Sequence, residues 1–361
     1  MFKQFLKKCY IIGTVPFNFC TMSNSWPDRI ISGIQPTGIL HIGNYYGAVK
    51  NWINLQNSNE IICSIVDFHS ITLSYASKLL DHKKLPENIL LMTACLLGCG
   101  LNSEKSILFL QSEVPQHTQL CWVLSCLTTV PRLARQPQYR EKSENIKDIP
   151  SGLFFYPVLQ AADILIYKAT KVPVGKDQLQ HLQLASHLAR KFNALYGETF
   201  PIPELIFSGN IASKIKNLRN PHKKMSKSYP DKLSRIEITD SPDDITEKIK
   251  KAVTDCTSQV TYEPDIRPGV SNLVGIHSVI TGRSPAALCD EVKHLNTGQY
   301  KLLVAEILIE TLKPIQKEIN QLLNDKSFLI SVLKNGAIKA SKITSDTWTV
   351  VRKKIGCHYF L

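Results

Sequence analysis

The sequence predicts an α/β domain built on a doubly wound parallel sheet, followed by an all-helical domain. Three short apolar runs, at 29–34, 61–66 and 106–110, have the length and composition of buried strands. Helical periods separate these runs, and strands that alternate with helices are joined by right-handed crossovers into a parallel sheet. Later in the chain, helical periods continue nearly to the end. We therefore assign 29–230 to the first domain and 231–361 to the second.

The elements follow in a regular order. The first strand, "RIISGI", ends at the turn "QPTG" and leads into a helix, "GNYYGAVKNWINL". Further helices are predicted from about Pro86 to Leu97 and from about Gln116 to Thr128. A helix around "YPVLQAADILIY", an extended run "KVPVG" and a helix that starts near Asp177 complete the domain. Ligands bind at the carboxyl ends of the strands in such sheets, so we expect the site there.

Positive charge indicates a polyanionic partner. Lys and Arg number 43 and Asp and Glu number 30, which gives a net charge of +13. Neutralising phosphates with basic side chains releases counterions, so this balance favours nucleic acid. The excess is concentrated between Lys214 and Arg235, where eight basic residues accompany one acidic residue, Asp231. That segment is a candidate anion site.

Cysteine spacing argues against zinc and against disulfides. Ten cysteines are scattered without a C-x-x-C pair, and those closest together lie in apolar helical contexts. We therefore predict no metal site and a reducing compartment. No run approaches the roughly 18 apolar residues of a membrane span, so no membrane association is predicted.

The first 28 residues differ from the rest. They contain no acidic residue before Asp28, and Phe2, Phe5 and Leu6 share one helical face opposite basic side chains. This pattern predicts a mitochondrial transit peptide over 1–28 and a location in the mitochondrial matrix, although the absence of Arg is atypical. The alternatives are a secretory signal, whose apolar run here is short and interrupted, and a plain cytosolic tail.

The stretch "GIQPTGILHIGN", at 33–44, runs from a strand end to a helix start. Backbone N–H groups and the helix dipole make such a start an anion site. His41 and Asn44 are candidate donors to phosphate oxygens, and Gly43 leaves room for a flat ring. Much later, "KMSKS" at 224–228 offers lysines that suit a developing pyrophosphate. Together the two motifs predict a nucleotidyl transfer.

These motifs resemble those of the class I aminoacyl-tRNA synthetases, with HIGN in place of the HIGH signature and KMSKS intact. From about Arg29 onward the chain is similar to the tryptophanyl-tRNA synthetases of mitochondrial and bacterial type. Seven collinear stretches carry the resemblance: "SGIQPTGILHIGNYYGAVKNW", "IVDFHSIT", "QSEVPQHTQLCWVL", "YPVLQAADILIYKATKVPVGKDQ", "KKMSKSYPD", "ITDSPDDITEKIKKAVTD" and "GVSNLVGIHSVITG". The resemblance implies a Rossmann-like catalytic domain and a helical domain that binds the tRNA anticodon.

The resemblance also implies roles for individual residues. It assigns catalysis to His41, Asn44, Lys224 and Lys227. It assigns ATP binding to Gln35, His41, Ile42, Gly43, Asn44, Gly175, Lys176, Asp177, Ile215, Lys224, Met225, Ser226, Lys227 and Ser228. It assigns the tryptophan pocket to Asp163, Tyr156, Gln160 and His69.

Asp163 has a physical logic of its own. It lies in an otherwise apolar helix, where a carboxylate is costly unless it is hydrogen-bonded. Indole offers only a donor, so an acceptor in the pocket rejects side chains without one. The alternative is a carboxylate that caps a helix or forms an ion pair within the protein. Ordinary core packing is the alternative for Tyr156, Gln160 and His69.

Two residues depart from the family pattern. Lys176 replaces a common Glu, which puts a side-chain role there in doubt. Tyr229 replaces the Asp that usually follows KMSKS, and that change is expected to affect closure of the loop rather than phosphate binding.

The resemblance implies a two-step reaction. ATP, brought with Mg²⁺, activates L-tryptophan to the adenylate, and tRNA(Trp) then accepts the aminoacyl group; a homodimer is implied as well. The alternatives are a tyrosyl-tRNA synthetase, which shares the fold, and a non-catalytic RNA-binding protein on the same fold. A small-molecule nucleotidylyltransferase would not explain the second domain.

Overall fold

Five parallel strands form one sheet in the computed structural model, which describes residues 26–72, 82–144, 147–175, 178–207, 215–227 and 229–357. The strands are β1 (Arg29–Ile34), β2 (Glu60–Ile65), β3 (Ser106–Leu110), β4 (Lys171–Val174) and β5 (Glu204–Phe207). Their order is β3-β2-β1-β4-β5. In this doubly wound order the direction of winding reverses beside β1, so a crevice is expected between the carboxyl ends of β1 and β4. The predicted fold class is confirmed.

Helices make up most of the remaining described chain. The helix after β1, here called α1, consists of three consecutive segments, Ile42–Asn44, the π-helical Tyr45–Val49 and Lys50–Leu55. The others are α2 (Asp67–Ile71), α3 (Leu85–Gly98), α4 (Gln116–Leu127), α5 (Val130–Ala134), α6 (Pro137–Ser143), α7 (Ser151–Leu165), α8 (Leu179–Tyr196), α9 (Pro242–Lys250), α10 (Pro268–Thr281), α11 (Pro285–Glu291), α12 (Thr297–Asn324) and α13 (Lys326–Lys354). No described helix is both long and apolar enough to cross a bilayer.

Neighbouring residues of a strand belong to different hydrophobic clusters. In β2, Ile62 lies in one cluster and Cys63 in the other, and in β3 Ile107 and Leu108 divide in the same way. Successive side chains of a strand point to opposite faces, so both faces of the sheet are covered. Burial on both faces explains why the strands appear in the sequence as unbroken apolar runs.

The C-terminal helices pack directly on this sheet. An added Cβ at Gly336 in α13 would overlap the carbonyl of Leu108 in β3, so the helix and strand backbones touch there. β3 is the last strand at its side of the sheet, and a helix against such a strand shields it from other chains. One hydrophobic cluster contains both Ile42 from α1 and Leu308 from α12. The division at residue 230 stays a prediction.

Candidate active site

His41 precedes α1 and caps it. The His41 Nδ1 accepts a hydrogen bond from the Asn44 backbone N–H at 3.2 Å, and the Asn44 Oδ1 accepts one from the His41 N–H at 3.5 Å. This reciprocal arrangement is a capping box. Because Nδ1 is an acceptor, the proton of the neutral imidazole is on Nε2, and Nε2 is therefore a donor.

Burial and nearby cations keep His41 neutral. His41 is 2% exposed to solvent. Burial, followed by the charges of Lys227, Arg235 and Lys224, lowers the pKa of His41 to about 3. At neutral pH the start of α1 therefore presents uncharged N–H donors beside three cations. This combination suits a polyphosphate.

The two sequence motifs are joined by backbone pairing. The Ile42 N–H donates to the Ile236 carbonyl and the Ile238 N–H donates to the Leu40 carbonyl, both at 2.9 Å. The segment 236–238 follows the lysine loop, which we define as residues 223–227 together with 229. Residues almost 200 positions apart in the sequence are therefore held side by side.

The lysine loop is also paired with the segment that precedes it. The Met225 N–H donates to the Ile215 carbonyl at 3.3 Å, and the Asn217 N–H donates to the Lys223 carbonyl at 2.9 Å. Lys224 forms a bridge with Lys216. The Asn272 side chain, from α10, donates to the Lys216 carbonyl at 3.1 Å and accepts from the Lys216 N–H at 2.8 Å. A helix of the C-terminal half thus supports the lysine loop.

Lys227 lies close to the turn before α1. Its Nζ donates to the Gly38 carbonyl at 3.4 Å. Burial of the ammonium group, opposed by Cys95 and Glu237, lowers the pKa of Lys227 to about 8. Lys224 is exposed and Ser226 half-buried. The loop therefore contains two lysines at the surface, Lys223 and Lys224, and one, Lys227, that is partly desolvated.

Gly43 lies between His41 and the lysine loop. A Cβ at this position would approach the His41 Nδ1 and Cε1 to 3.0 Å and the Met225 Cβ to 3.6 Å. A side chain here would press on the capping imidazole. The structure thus gives Gly43 a packing reason besides the predicted contact with a flat ring, which stays a prediction.

The other described residues predicted to bind ATP form an exposed group and a buried group. Gln35 follows β1 and Gly175 follows β4, and both are exposed at the carboxyl ends of adjacent strands. Ile42, Ile215 and Met225 are buried in one hydrophobic cluster. Lys176, Asp177 and Ser228 lie outside the described residues. Gln35 and Gly175 are therefore placed where the sheet order predicts a ligand.

Asp163, near the end of α7, is the centre of a buried hydrogen-bond network. Its Oδ1 accepts from the Gln111 Nε2 at 2.8 Å and from the His117 Nδ1 at 2.6 Å. Its Oδ2 accepts from the His69 Nε2 at 2.8 Å. The His117 Nε2 in turn lies 2.8 Å from the Tyr167 hydroxyl. Side chains from α2, from α4 and from the segment directly after β3 therefore converge on one carboxylate of α7.

Asp163 is ionised despite its burial. Burial alone raises the pKa of this carboxyl, but hydrogen bonds from His117 and His69 hold the pKa well below its ordinary value. The carboxylate is therefore purely an acceptor at any pH at which the protein works.

Tyr156 and Gln160, on the same helix, contact a second group of polar residues. The Tyr156 hydroxyl donates to the Gln138 Oε1 at 2.9 Å and lies 3.1 Å from the His181 Nε2. The Gln160 Nε2 donates to the Gln178 Oε1 at 3.4 Å. The Tyr156 ring meets the His69 ring edge to face, with centroids 6.4 Å apart. His69 contacts both Asp163 and Tyr156, so the hydrogen-bond network of Asp163 and the polar residues around Tyr156 are adjacent.

Comparison with known proteins decides the family. Residues 24–313 match the family model described as tRNA synthetases class I (W and Y). The chain belongs to this family. It is 45% identical over 330 residues to the tryptophan-tRNA ligase of Clostridium acetobutylicum, which covers 91% of this chain and 96% of the relative. The resemblance inferred from the sequence is confirmed.

Solved structures of the family agree with the fold. The tryptophanyl-tRNA synthetase of Mycoplasma pneumoniae superposes with a TM-score of 0.81 at 28% identity, covering 91% of this chain and 98% of that one. The synthetase of Campylobacter jejuni complexed with ADP and tryptophane gives a TM-score of 0.77 at 32% identity, covering 91% and 99%.

Several residues of the site were not assigned from the sequence. Gln111 and His117 lie in the family stretch "QSEVPQHTQLCWVL" and Asn272 lies in "GVSNLVGIHSVITG", yet none was given a role. The available signal was a polar residue within or directly after an apolar run, as for Asp163. Within the described part of the chain, no group of three or more His, Cys, Asp or Glu side chains is arranged to hold a metal ion.

Proposed function

We propose that this chain is a tryptophan-tRNA ligase that forms tryptophanyl-adenylate from L-tryptophan and ATP and transfers the aminoacyl group to tRNA(Trp). The observation that carries the proposal is the buried, ionised Asp163, an acceptor suited to the indole N–H. The sequence relatives of the chain, which are named tryptophan-tRNA ligases, support the same substrate. The ADP and tryptophane in the Campylobacter jejuni neighbour support ATP.

In the first step the tryptophan carboxylate attacks the α-phosphorus. A new oxygen–phosphorus bond forms and the bond to the β-phosphate breaks, releasing pyrophosphate. We assign the His41 Nε2–H and the Asn44 amide to phosphate oxygens at the start of α1. Lys224 and Lys227 oppose the charge that develops on pyrophosphate. The donors around His41 are cationic or neutral, so they suit phosphates, and Mg²⁺ would be held mainly by phosphates and water.

In the second step a ribose hydroxyl at the end of tRNA attacks the activated carbonyl, and AMP leaves. The net charge of +13 favours this polyanionic partner. We assign anticodon binding to the helical region 231–361, since unstacked bases are bound by stacking and by hydrogen bonds to their edges.

We also propose that the protein is a homodimer. Apolar side chains are exposed on α4, α5 and α7 and just before α7, namely Trp122 at 73%, Val130 at 69%, Phe155 at 43% and Ile149 at 41%. Exposed apolar groups this large, close together in the sequence on packed helices, are typical of an interface. Light scattering should give twice the chain mass, and Trp122→Glu should give a monomer.

The cellular location is proposed from the leader alone. Residues 1–28, of which 1–25 lie outside the described residues, carry basic side chains and no acid before Asp28. We propose import into the mitochondrial matrix and a role in translation there. A reporter fused to 1–28 should enter mitochondria, and changing Lys3, Lys7 and Lys8 to Glu should prevent import. A diffuse cytosolic signal from the unaltered fusion would contradict the proposal.

ATP–pyrophosphate exchange tests the activity. Tryptophan should drive exchange and tyrosine should not. The tyrosine hydroxyl is also a hydrogen-bond donor, so this expectation rests on the relatives, which are named tryptophan-tRNA ligases. Exchange with tyrosine alone would favour a tyrosyl-tRNA synthetase. Binding of tRNA without any exchange would favour a non-catalytic RNA-binding protein.

A further inference from the structure

The Asp163 carboxylate has little acceptor capacity left. An ionised carboxylate offers about four lone-pair positions, two on each oxygen. Oδ1 accepts from Gln111 and His117, and Oδ2 accepts from His69. Among the described residues, these contacts leave one acceptor position, and it is on Oδ2.

The groups behind the carboxylate are fixed in orientation. His117 and Tyr167 are both 0% exposed, and both rings pack against Phe109 with centroids 5.8 Å away. The Tyr167 hydroxyl lies 2.8 Å from the His117 Nε2, on the opposite side of the ring from Asp163. Since a carboxylate can only accept, the His117 Nδ1 carries a proton. The ring cannot turn without breaking both contacts.

Gln111 is held in a similarly demanding way. It is 0% exposed and donates to Asp163, while its Oε1 has no hydrogen-bond partner among the described residues. A buried acceptor without a partner is costly, and in native proteins such atoms often mark functional sites. Here the Gln111 Nε2 donates to Asp163 even though the Oε1 of the same amide has no partner among the described residues.

We propose that His117, Gln111 and Tyr167 are positioning residues that set the selectivity of the tryptophan pocket, by holding Asp163 so that one acceptor position faces the substrate. This inference rests on the proposed function and deepens it. A substrate with a single N–H donor occupies the one remaining acceptor position of the carboxylate. An amino acid of the same shape without that donor leaves a buried acceptor unpaired.

The test compares tryptophan with 3-(benzothiophen-3-yl)alanine, in which sulfur replaces the indole N–H. In the unmodified protein, kcat/KM for pyrophosphate exchange should favour tryptophan by about a hundredfold or more. His117→Leu removes a donor and should lower this ratio about tenfold, mainly through a higher KM for tryptophan. His117→Asn keeps a donor near the Nδ1 position and should restore most of the ratio. Tyr167→Phe should lower the ratio about threefold.

A matched control is available in the C-terminal half. The His277 Nδ1 and the Tyr300 hydroxyl form a buried pair at 3.2 Å on α10 and α12, and neither residue takes part in the hydrogen bonds described around Asp163. Tyr300→Phe should leave the ratio unchanged. Equal losses on both amino acids in His117→Leu and Tyr167→Phe would show a merely structural role and overturn the proposal. If His117→Leu does not fold, Tyr167→Phe decides, since it removes one oxygen atom. Failure of the unmodified protein to use tryptophan would overturn the proposed function itself, before any variant is compared.

Discussion

The proposed nucleotide half and the proposed amino-acid half of this site are built from different interactions. Around His41 the contacts are mostly backbone hydrogen bonds between distant segments, and the lysines extend from a turn. Around Asp163 the contacts are hydrogen bonds between buried side chains of α2, α4, α7 and the segment directly after β3. Charge acts over a distance, whereas an acceptor acts only in contact. Substitutions near His41 should therefore change the reaction rate by modest factors. Substitutions near Asp163 should change the specificity for the amino acid by large factors.

Asp163→Asn is expected to have the largest effect on the use of tryptophan. The amide replaces one acceptor oxygen by a donor that faces the donors of His117, His69 or Gln111. We expect kcat/KM for tryptophan-dependent exchange to fall more than about a hundredfold, with ATP binding by calorimetry unchanged. Asp255→Asn, at a carboxylate paired with Arg267 elsewhere, should leave exchange intact. Normal exchange by Asp163→Asn would disprove the assignment.

The use of ATP should instead depend on pH through Lys227. Lys227, with a pKa of about 8, loses its charge as pH rises through that value in the free enzyme. We expect kcat/KM for ATP to fall about fivefold from pH 8 to pH 9, because kcat/KM reports the free enzyme. Lys227→Arg keeps its charge and should move this decline above pH 10. An unchanged profile in that variant would mean that another group titrates.

Gly43→Ala tests the contact between the motifs. Its Cβ would come within 3.0 Å of the His41 ring, which must then shift by a few tenths of an ångström. We expect exchange to fall by about threefold to tenfold with little change in Tm, since alanine favours helix by about 0.5–1 kcal/mol. Gly275→Ala, on α10, meets nothing within 4 Å and should leave the rate unchanged. Equal activity in both variants would argue against a role for the ring position.

The smallest expected effect concerns stability in acid. The folded protein holds the pKa of His41 near 3, below its ordinary value of 6.5. As pH falls below 6.5 the unfolded chain takes up a proton that the folded chain refuses, so stability decreases. His41→Asn retains a capping side chain and removes the titration. Urea unfolding at pH 6.5 and 4.5 should show the variant losing about 1–2 kcal/mol less than the unmodified protein. Equal losses would place the pKa of His41 near its ordinary value.

The sequence was most informative where local patterns decide the structure. Strands at 29–34 and 106–110 were predicted with the observed bounds, because runs buried on both faces are continuously apolar. β5 (Glu204–Phe207) was not predicted, since four residues give too short a pattern. Asp163 stood out because it is charged within an apolar helix.

The partners of Asp163 were harder to predict. His117 and Gln111 lie about 50 residues away, and only the tertiary packing of α4 and of the segment after β3 against α7 brings them to the carboxylate. Likewise, no local pattern indicates that 236–238 pairs with 40–42. Contacts between distant segments depend on the tertiary arrangement, and a single sequence does not show them.

The support of Lys216 by Asn272 has a mechanical consequence. Two hydrogen bonds tie α10 to a strand-like segment, and that segment is bridged to Lys224. A displacement of α10 is therefore passed to the lysine loop without any rearrangement of the sheet. The helical half of the molecule is thereby connected to the proposed ATP-binding lysines through a path only a few residues long.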